Sequence, residues 1–437
     1  MAASGFLLAF ASILYLSVRR VSIARIMFLA TLIMAATSGM KPTAVVATTW
    51  QAFRDPATLE LAGAVLAIGV FSTFMREFGF LDKTVSGLSS FLGNVKAAIV
   101  SVPALIGSMP VLGGAALSAP LVDRLAEPLG LPADVRAAAN LAFRHGMFFV
   151  FPFSPGMILA AQITGIPIGT LISRLWPMSV ALWGLGYATH LWRAKPVEHE
   201  TSRSQAAATL SERPSTRKRL EGLAEFLLYG GPLVVALFLG LALKWPLWLS
   251  LCSGTLLAIM LALGQRKPMP QFGNLLKGAN LSQVAAMFWI MAFKSFVTAS
   301  PVFPSLIEKA TQRGASPALL GLAIPFAFGF GSASQTATIG ILMPLLAPAS
   351  LPAVPRLYLV CLIYASSFTA YFFSPLHMCQ VLTCEYFKVD VWKVYRRNWP
   401  IAAGFLVIMI ALYFVVNSGL QAAALGQFQE FLHSAGI

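Results

Sequence analysis

Apolar residues in this 437-residue chain fall into long runs that recur from one end to the other. The runs are about 17–25 residues long, the length that an α-helix needs to cross a hydrocarbon core roughly 30 Å thick. The alternating apolar and polar residues of a transmembrane strand are absent from the sequence. The pattern predicts an all-α polytopic membrane protein with apolar segments at about 4–18, 25–40, 58–76, 95–130, 134–165, 168–192, 224–242, 246–264, 281–299, 317–349, 355–386 and 398–416.

A polar stretch divides these segments into two groups. Residues 193–220 contain seven basic and three acidic residues together with Pro and Ser, a composition typical of a solvated linker. We therefore predict a first unit over residues 1–192, a linker over 193–220, a second unit over 221–416 and a C-terminal tail over 417–437.

The two units resemble each other in sequence. The matches at a constant offset of 220 residues are Leu131-Pro132-Ala133 with Leu351-Pro352-Ala353, Arg136 with Arg356, and Phe153-Ser154-Pro155 with Phe373-Ser374-Pro375. Trp176-Pro177 matches Trp399-Pro400 at an offset of 223 residues. An ordered series of matches at a nearly constant offset predicts an internal repeat.

The relative orientation of the two units depends on how often each crosses the membrane. If residues 95–130 and 317–349 are re-entrant hairpins, each unit has five crossings and the second unit is inverted. Cytoplasmic loops then hold 21 of the 31 Lys and Arg residues and outside loops hold six, the asymmetry expected of membrane proteins. This favours two inverted repeats of five transmembrane helices plus one hairpin each, with both termini outside and the linker cytoplasmic. Six full crossings in each unit would instead make the repeats parallel.

Four stretches place Gly, Pro and hydroxyl residues where membrane helices would be continuous. They are residues 107–114 and 329–336 in the hairpins, and 151–156 and 372–375 within the long segments 134–165 and 355–386. Half-helix N-termini at such breaks attract anions, while carbonyls and hydroxyls hold cations. The predicted substrate- or ion-binding residues are Ser108, Gly113, Gly114, Ser118, Ser154, Ser332, Ser334, Gln335, Thr336, Thr338, Ser374 and His377. The alternative is that Pro and Gly only kink the helices and that the hydroxyls bond to the preceding turn.

Ionisable side chains within the predicted segments are cationic or imidazole groups. Arg144 and His145 lie inside the segment 134–165, Lys294 lies within MFWIMAFKSFV, and His377 follows the Ser-Pro break at 374–375. All sixteen carboxylates lie in loops or at helix ends, which favours an anionic substrate with Arg144, His145 and Lys294 as charge partners. The structural alternatives are that Lys294 snorkels, that Arg144 pairs with a loop carboxylate or caps carbonyls, and that His377 is a satisfied structural histidine.

Composition removes several other classes of protein. The chain is 57% apolar and 11% charged, with a mean hydropathy of +0.76, which excludes a large soluble enzyme and a disordered chain. The net charge of +15 follows from basic cytoplasmic loops, so no nucleic-acid partner is predicted. The cysteines at 252, 361, 379 and 384 are interpreted as small buried hydrophobic residues. No Cys/His metal set is recognised in the sequence.

The paired breaks, the paired hairpins and the stretch FFSPLHMCQVLTCEYF, Phe372 to Phe387, resemble an uncharacterised prokaryotic integral-membrane family. That family is grouped with the ion transporter superfamily, which includes divalent anion:sodium symporters, gluconate and citrate permeases, and the large membrane subunit of TRAP transporters. The resemblance covers essentially the whole chain. It implies an elevator-type transporter, in which a scaffold of outer helices, often dimeric, holds a mobile domain of hairpins and broken helices.

The hairpin tips depart from the Ser-Asn-Thr motif with which the sodium symporters bind sodium and the substrate carboxylate. The matching stretches are Gly107-Ser108-Met109-Pro110 and Ser332-Ala333-Ser334-Gln335-Thr336. Only the hydroxyls carry over, with Gln335 as the nearest amide.

These observations predict a secondary active transporter in the inner membrane for a small anion, with an organic acid as the favoured substrate. The coupling ion is Na⁺, held by carbonyls and hydroxyls at the hairpin tips, or H⁺, exchanged by a histidine such as His377. Neither an enzymatic activity nor a cofactor other than Na⁺ is predicted, and the resemblance favours a homodimer. Two alternatives stay open: a TRAP-like membrane subunit that needs a partner binding protein, and a membrane-embedded enzyme or lipid-carrier flippase.

Overall fold

Helices are the only regular secondary structure in the described part of the protein, as seen in its computed structural model. The structure describes residues 2–19, 21–108, 114–195, 215–299, 309, 312–348 and 350–434. Six helical stretches among them are long and apolar enough to cross a membrane: Pro56–Glu77, Thr216–Leu241, Leu247–Gly264, Phe272–Ala299, Ala353–Phe387 and Val391–Ala423. The prediction of an all-α membrane protein is confirmed.

The helices of the first unit, within the described residues, are α1 (Ala2–Val18), α2 (Ile23–Thr37), α3 (Pro42–Arg54), α4 (Pro56–Glu77), α5 (Phe80–Leu92), α6 (Val95–Gly107), α7 (Gly114–Ala126), α8 (Ala133–His145), α9 (Pro155–Thr164) and α10 (Ile168–His190). Short 3₁₀ turns follow α7 at Glu127–Leu129 and α8 at Gly146–Phe149.

Those of the second unit are α11 (Thr216–Leu241), α12 (Leu247–Gly264), α13 (Phe272–Gly278), α14 (Leu281–Ala299), α15 (Pro317–Ser332), α16 (Gln335–Leu346), α17 (Ala353–Phe373), α18 (Met378–Phe387) and α19 (Val391–Ser434). The short helices α3, α5 and α13 lie outside the apolar segments predicted from the sequence.

Each predicted hairpin consists of two short helices. α6 and α7 have 13 residues each, and α15 and α16 have 16 and 12. At about 1.5 Å per residue they are roughly 18–24 Å long, less than the roughly 30 Å of a hydrocarbon core. No single helix of either pair is therefore long enough to cross a bilayer. The predicted tip residue Gly113 lies outside the described residues.

Both predicted helix breaks are present, and they differ in length. α8 ends at His145 and α9 begins at Pro155, so the first break starts before the predicted stretch 151–156. α17 continues to Phe373 and α18 begins at Met378, so the second break, residues 374–377, overlaps the predicted stretch 372–375. The first break is longer because residues of α10 bond to the carbonyl groups at the end of α8, as described below.

Contacts between helices occur in pairs. Where a helix of one unit packs on a second helix, the helices at the matching positions of the other unit in the predicted repeat also pack on each other. Between the units, α2 packs on α14 and α4 on α12, α3 packs on α14 and α13 on α4, and α9 packs on α16 and α7 on α18. Within the units, α6 packs on α8 and α15 on α17, and α8 packs on α10 and α17 on α19. Helices α10 and α19, which are counterparts in the predicted repeat, pack on each other.

The broken helices lie innermost. In the most apolar 18 residues of Ala353–Phe387, 78% are buried, against 33% in Thr216–Leu241 and 22% in Val391–Ala423. An apolar helix whose surface is mostly unburied is one that faces lipid. α11 and α19 are therefore peripheral, and α17 and α18 form the core. Small residues permit this close packing: a Cβ added to Gly321 of α15 would lie 2.6 Å from Leu359 of α17.

Three expectations from the sequence are corrected by the structure. α11 starts at Thr216, inside the predicted linker, because Ser215 caps it by accepting the Lys218 N–H at 3.4 Å; residues 196–214 of that linker lie outside the described residues. α19 continues to Ser434, through most of the predicted tail, because residues 417–434 contain good helix formers and no proline. Cys252 is exposed rather than buried, because it lies on α12, of which only 39% of the apolar span is buried.

Candidate functional site

Three predicted site residues meet at one cavity of about 50 Å³. Its lining residues are Gly107, Ser108, Arg144, Met147, Phe148, Phe151, Phe153, Ser154 and Pro155. At about 10–15 Å³ per water molecule, the cavity has room for roughly three to five waters. It lies where the end of α6, the end of α8 and the beginning of α9 come together.

Arg144 is the charged group of this cavity. Its side chain is buried, with 5% exposure, and its Nε and Nη1 atoms have no hydrogen-bond partner. The ion pairs of the described residues are Arg136–Asp123, Arg217–Glu221 and Arg397–Asp134. Arg144 belongs to none of them, and the described part of the chain contains no buried Asp or Glu. A buried cation without a partner is unfavourable, so this position favours an anion from outside the chain.

The unwound segment after α8 is held by hydrogen bonds from neighbouring helices. Trp183 Nε1 donates to the Phe143 carbonyl at 3.0 Å, and Ser179 Oγ donates to the Gly146 carbonyl at 2.6 Å. The Tyr364 hydroxyl donates to the carbonyl of residue 148 at 2.7 Å. These bonds satisfy carbonyl groups that the helix end leaves free, as buried backbone in a membrane requires.

The N-terminus of α9 faces the same cavity. Pro155 occupies its first turn, and Ser154 precedes it without a side-chain bond to the helix. The first N–H groups of a helix lack partners within the helix and carry partial positive charge. This charge adds to that of Arg144. The Ser154 hydroxyl has no hydrogen-bond partner, whereas Ser108 Oγ donates to the Leu105 carbonyl at 2.6 Å.

Gly107 allows the first hairpin to approach the end of α8. A Cβ added at this position would collide with the carbonyl oxygen of Arg144. The last turn of α6 therefore lies directly against the last turn of α8, and only glycine fits there. This contact closes one side of the cavity.

The second hairpin reaches the same region through Gln335. Ser332 and Gln335 are buried, and the Ser332 hydroxyl and Gln335 Nε2 lack hydrogen-bond partners. The Gln335 Oε1 atom lies 3.4 Å from where a Cβ on Gly156 of α9 would be. Tyr364 lies beside both Gln335 and Ser154. Because Ser154 lines the cavity, Tyr364 and Ser154 together connect the second hairpin with it.

His145, His377 and Cys379 form a second cluster at the end of α8. Their nitrogen and sulfur atoms all lie within 4.8 Å of one another, and the two imidazole rings have centroids 4.9 Å apart. His145 Nδ1 bonds to the Leu141 carbonyl at 2.8 Å. The sequence interpretation that found no Cys/His set is therefore corrected. His145 lies in the first unit and the other two in the second, so only folding brings the three together.

Other predicted site residues donate to backbone carbonyls, cap a helix or lie in first turns. Ser118 donates to the Ala115 carbonyl at 3.3 Å, Thr338 to the Ser334 carbonyl at 2.7 Å, and Ser374 to the Phe330 carbonyl at 2.7 Å. Ser334 caps α16 by accepting the Ala337 N–H at 3.2 Å. Gly114 begins α7 and Thr336 lies half-buried in the first turn of α16. A binding role for these residues stays a prediction.

Lys294 lies away from the cavity. Its Nζ donates to the Ile163 carbonyl at 3.3 Å, and Arg356 Nη2 donates to the Thr164 carbonyl at 2.9 Å. Both cations therefore bind the C-terminal end of α9, about 12 Å along the helix from its N-terminus at Pro155. Cations stabilise a helix C-terminus. The Lys294 side chain thus bonds to a helix end away from the cavity, and its role as the anion's charge partner stays a prediction.

The sequence interpretation missed Tyr364 and Cys379. Tyr364 stands 220 residues after Arg144, which is the offset of the predicted repeat. The repeat position that matches Arg144 would therefore have pointed to Tyr364. Cys379 follows His377 by two residues at the second break. Its position beside the break was the available signal.

Comparison with known proteins finds a similar fold and a matching family. The crystal structure of the YdaH transporter of Alcanivorax borkumensis is similar with a TM-score of 0.58 and 16% identity, over 86% of this chain and 89% of that chain. This similarity shows a shared fold. No curated protein matches the chain in sequence. The family described as "Protein of unknown function (DUF401)" matches residues 2–417, and the chain therefore belongs to this family.

Proposed function

We propose that the protein is a secondary active transporter of a small anion, with organic acids as the substrate class. The apolar spans and the fold shared with the YdaH transporter support membrane transport. One observation carries the choice of an anion: Arg144, buried with free donor atoms, lines the cavity that also receives the N-terminus of α9. Two sources of positive charge at one helix break bind negative charge.

The two units are, in this proposal, inverted repeats of the ion transporter superfamily. The paired helix contacts, in which the units change places, support the repeat. The short hairpin helices support five crossings in each unit, which gives the units opposite orientations. The distribution of Lys and Arg between loops supports the same orientation, with both termini outside and the linker in the cytoplasm.

Transport proceeds in this proposal by an elevator mechanism. The hairpins α6–α7 and α15–α16 and the broken helices α8–α9 and α17–α18 form the mobile domain, which carries the cavity. An anion enters when the end of α6 moves away from α8, because the contact at Gly107 closes that side of the cavity. The chain works without a separate binding protein and has no enzymatic activity.

Coupling uses Na⁺ or H⁺. The free hydroxyl of Ser332 and the amide of Gln335 support a Na⁺ site at the second hairpin. His377, buried at the second break, supports H⁺ exchange. In the second case His377→Gln removes the part of uptake that a pH gradient drives, whereas unchanged pH dependence assigns coupling to Na⁺.

The test is a thermal-shift screen of small carboxylates and inorganic anions on detergent-purified protein, with and without Na⁺, followed by uptake into proteoliposomes. We expect at least one anion to raise the melting temperature by mass action and to be taken up by the chain alone. If lipids shift the melt and no anion does, anion transport is refuted. Binding without uptake by the purified chain favours a TRAP-like subunit that needs a partner.

A further inference from the structure

We propose that His145, His377 and Cys379 bind one soft d¹⁰ metal ion, Cu⁺ or Zn²⁺, beside the anion cavity. The three side chains come from the end of α8, the second helix break and the first turn of α18. This site does not rest on the identity of the transported substrate, since none of its three side chains lines the anion cavity. A metal ion bound to His377 excludes H⁺ exchange at that imidazole, so the metal-loaded protein couples transport to Na⁺.

The spacing of the three side chains suits a single ion. Ligand atoms at about 2.0–2.1 Å (nitrogen) and 2.3 Å (sulfur) from one metal are roughly 3.3–3.8 Å apart at tetrahedral to trigonal angles. The nitrogen and sulfur atoms of the trio lie within 4.8 Å of one another. Side-chain rotations that bring them about 1–1.5 Å closer would complete the geometry.

His145 is already oriented as a ligand. A carbonyl oxygen only accepts, so the bond between Nδ1 and the Leu141 carbonyl at 2.8 Å places the proton on Nδ1. The Nε2 atom then carries the free lone pair, and it has no hydrogen-bond partner although the side chain is 0% exposed. A backbone carbonyl that fixes the imidazole tautomer in this way is typical of metal-binding histidines.

His377 has neither ring nitrogen bonded. Both Nδ1 and Nε2 lack a hydrogen-bond partner, and the side chain is 1% exposed. Buried polar groups in proteins nearly always have a partner, so this imidazole points to a ligand. Its backbone is held at the N-terminal end of α18, where it precedes Met378, and this holds it next to Cys379.

The surroundings select a soft ion. Aromatic rings of Phe148, Phe368, Tyr371 and Phe372 lie around His145. Ca²⁺ and Mg²⁺ need several oxygen ligands, and the described part of the chain buries no carboxylate. Imidazole and thiolate ligands instead suit Cu⁺ and Zn²⁺.

Charge favours Cu⁺ over Zn²⁺. On metal binding the Cys379 thiol loses its proton to solvent, and the resulting thiolate neutralises Cu⁺ but leaves one positive charge on Zn²⁺. Arg144, the neighbour of His145, is already an unpaired buried cation, and a further positive charge in a low-dielectric site is unfavourable. Cys379 is partly exposed, which gives an ion a route of approach.

The test measures metal binding by purified full-length protein under anaerobic reducing conditions. Cu⁺ is titrated in competition with bicinchoninate, and Zn²⁺ with a chromophoric chelator, and bound metal is counted per chain. We expect one ion per chain, with Cu⁺ bound more tightly. Co²⁺ should give a thiolate-to-metal charge-transfer band, which reports Cys379 as a ligand.

Cys379→Ser and His145→Gln should each weaken binding by more than the roughly 10–100-fold that follows loss of an outer-shell partner. Cys384→Ser is the matched control, because Cys384 lies on the same helix outside the trio, and it should bind as wild type does. Metal-free Cys379→Ser should melt cooperatively as metal-free wild type does, but without the metal-dependent rise in melting temperature of wild type, and this separates lost binding from misfolding.

Two results would overturn the proposal: wild type binds neither ion stoichiometrically, or Cys379→Ser and His145→Gln bind as tightly as wild type. Tighter binding of Zn²⁺ than of Cu⁺ would support the d¹⁰ site and refute the charge argument. Because metal binding is measured without an anion, failure of anion transport and failure of the metal site are distinguished.

Discussion

Replacement of Arg144 by Met distinguishes an anion-binding arginine from a structural one. Methionine keeps an unbranched apolar side chain next to the cavity and removes the guanidinium. The change leaves no partner group unpaired among the described residues, because the Nε and Nη1 atoms of Arg144 make no hydrogen bond. The substitution is therefore expected to weaken anion binding while the stability of the folded protein stays the same or rises.

The magnitude follows from the two free donor atoms. A hydrogen bond to a charged group contributes about 1.5–3 kcal/mol, so two such bonds to a bound anion contribute at least about 3 kcal/mol, roughly 100-fold in affinity. Without an anion, the variant has one fewer buried charge without a partner. We expect its melting temperature to equal or exceed that of wild type. Loss of one partner from a buried ion pair would instead cost about 3–5 kcal/mol.

The assay combines the dissociation constant of the anion found in the screen with the melting temperature of ligand-free protein. The control is Arg174→Met, since Arg174 is an exposed arginine within α10, and it should leave anion affinity unchanged. An Arg144→Met protein that binds the anion as wild type does, or that unfolds far below wild type without ligand, would refute the reasoning.

Two further substitutions test the first helix break. Ser179→Ala leaves the buried Gly146 carbonyl without its 2.6 Å hydrogen bond, so thermal unfolding in detergent should show a loss of about 1–3 kcal/mol; an equal loss in the exposed control Ser173→Ala would contradict this. Gly107→Ala places a Cβ against the backbone at the end of α8, so proteoliposome uptake should fall steeply. Gly184→Ala, where no atom lies within 4 Å of the added Cβ, should transport normally, and normal uptake by both variants would rule out the close contact.

Much of the helix architecture could be predicted from the sequence. The hairpins and the second break follow from Pro and Gly within apolar segments, because these residues end or bend a helix wherever they occur. The end of α8 could not be predicted in this way, because His145 is followed by residues that could continue a helix. Ser179 and Trp183 of α10 satisfy the carbonyl groups there, and those bonds depend on how α10 packs.

The sequence by itself determined that the chain is a helical membrane protein, because hydrophobic length is a property of the order of residues, and its repeat spacing predicts two similar units. It also selected Arg144, His145 and His377, since ionisable groups in apolar segments are conspicuous. Only the tertiary structure decided their partners. It placed Arg144 at a cavity, Lys294 at the far end of α9, and Cys379 beside the two histidines. Hydropathy determines that a segment is buried, whereas the atoms that a side chain meets depend on the packing of helices distant in sequence.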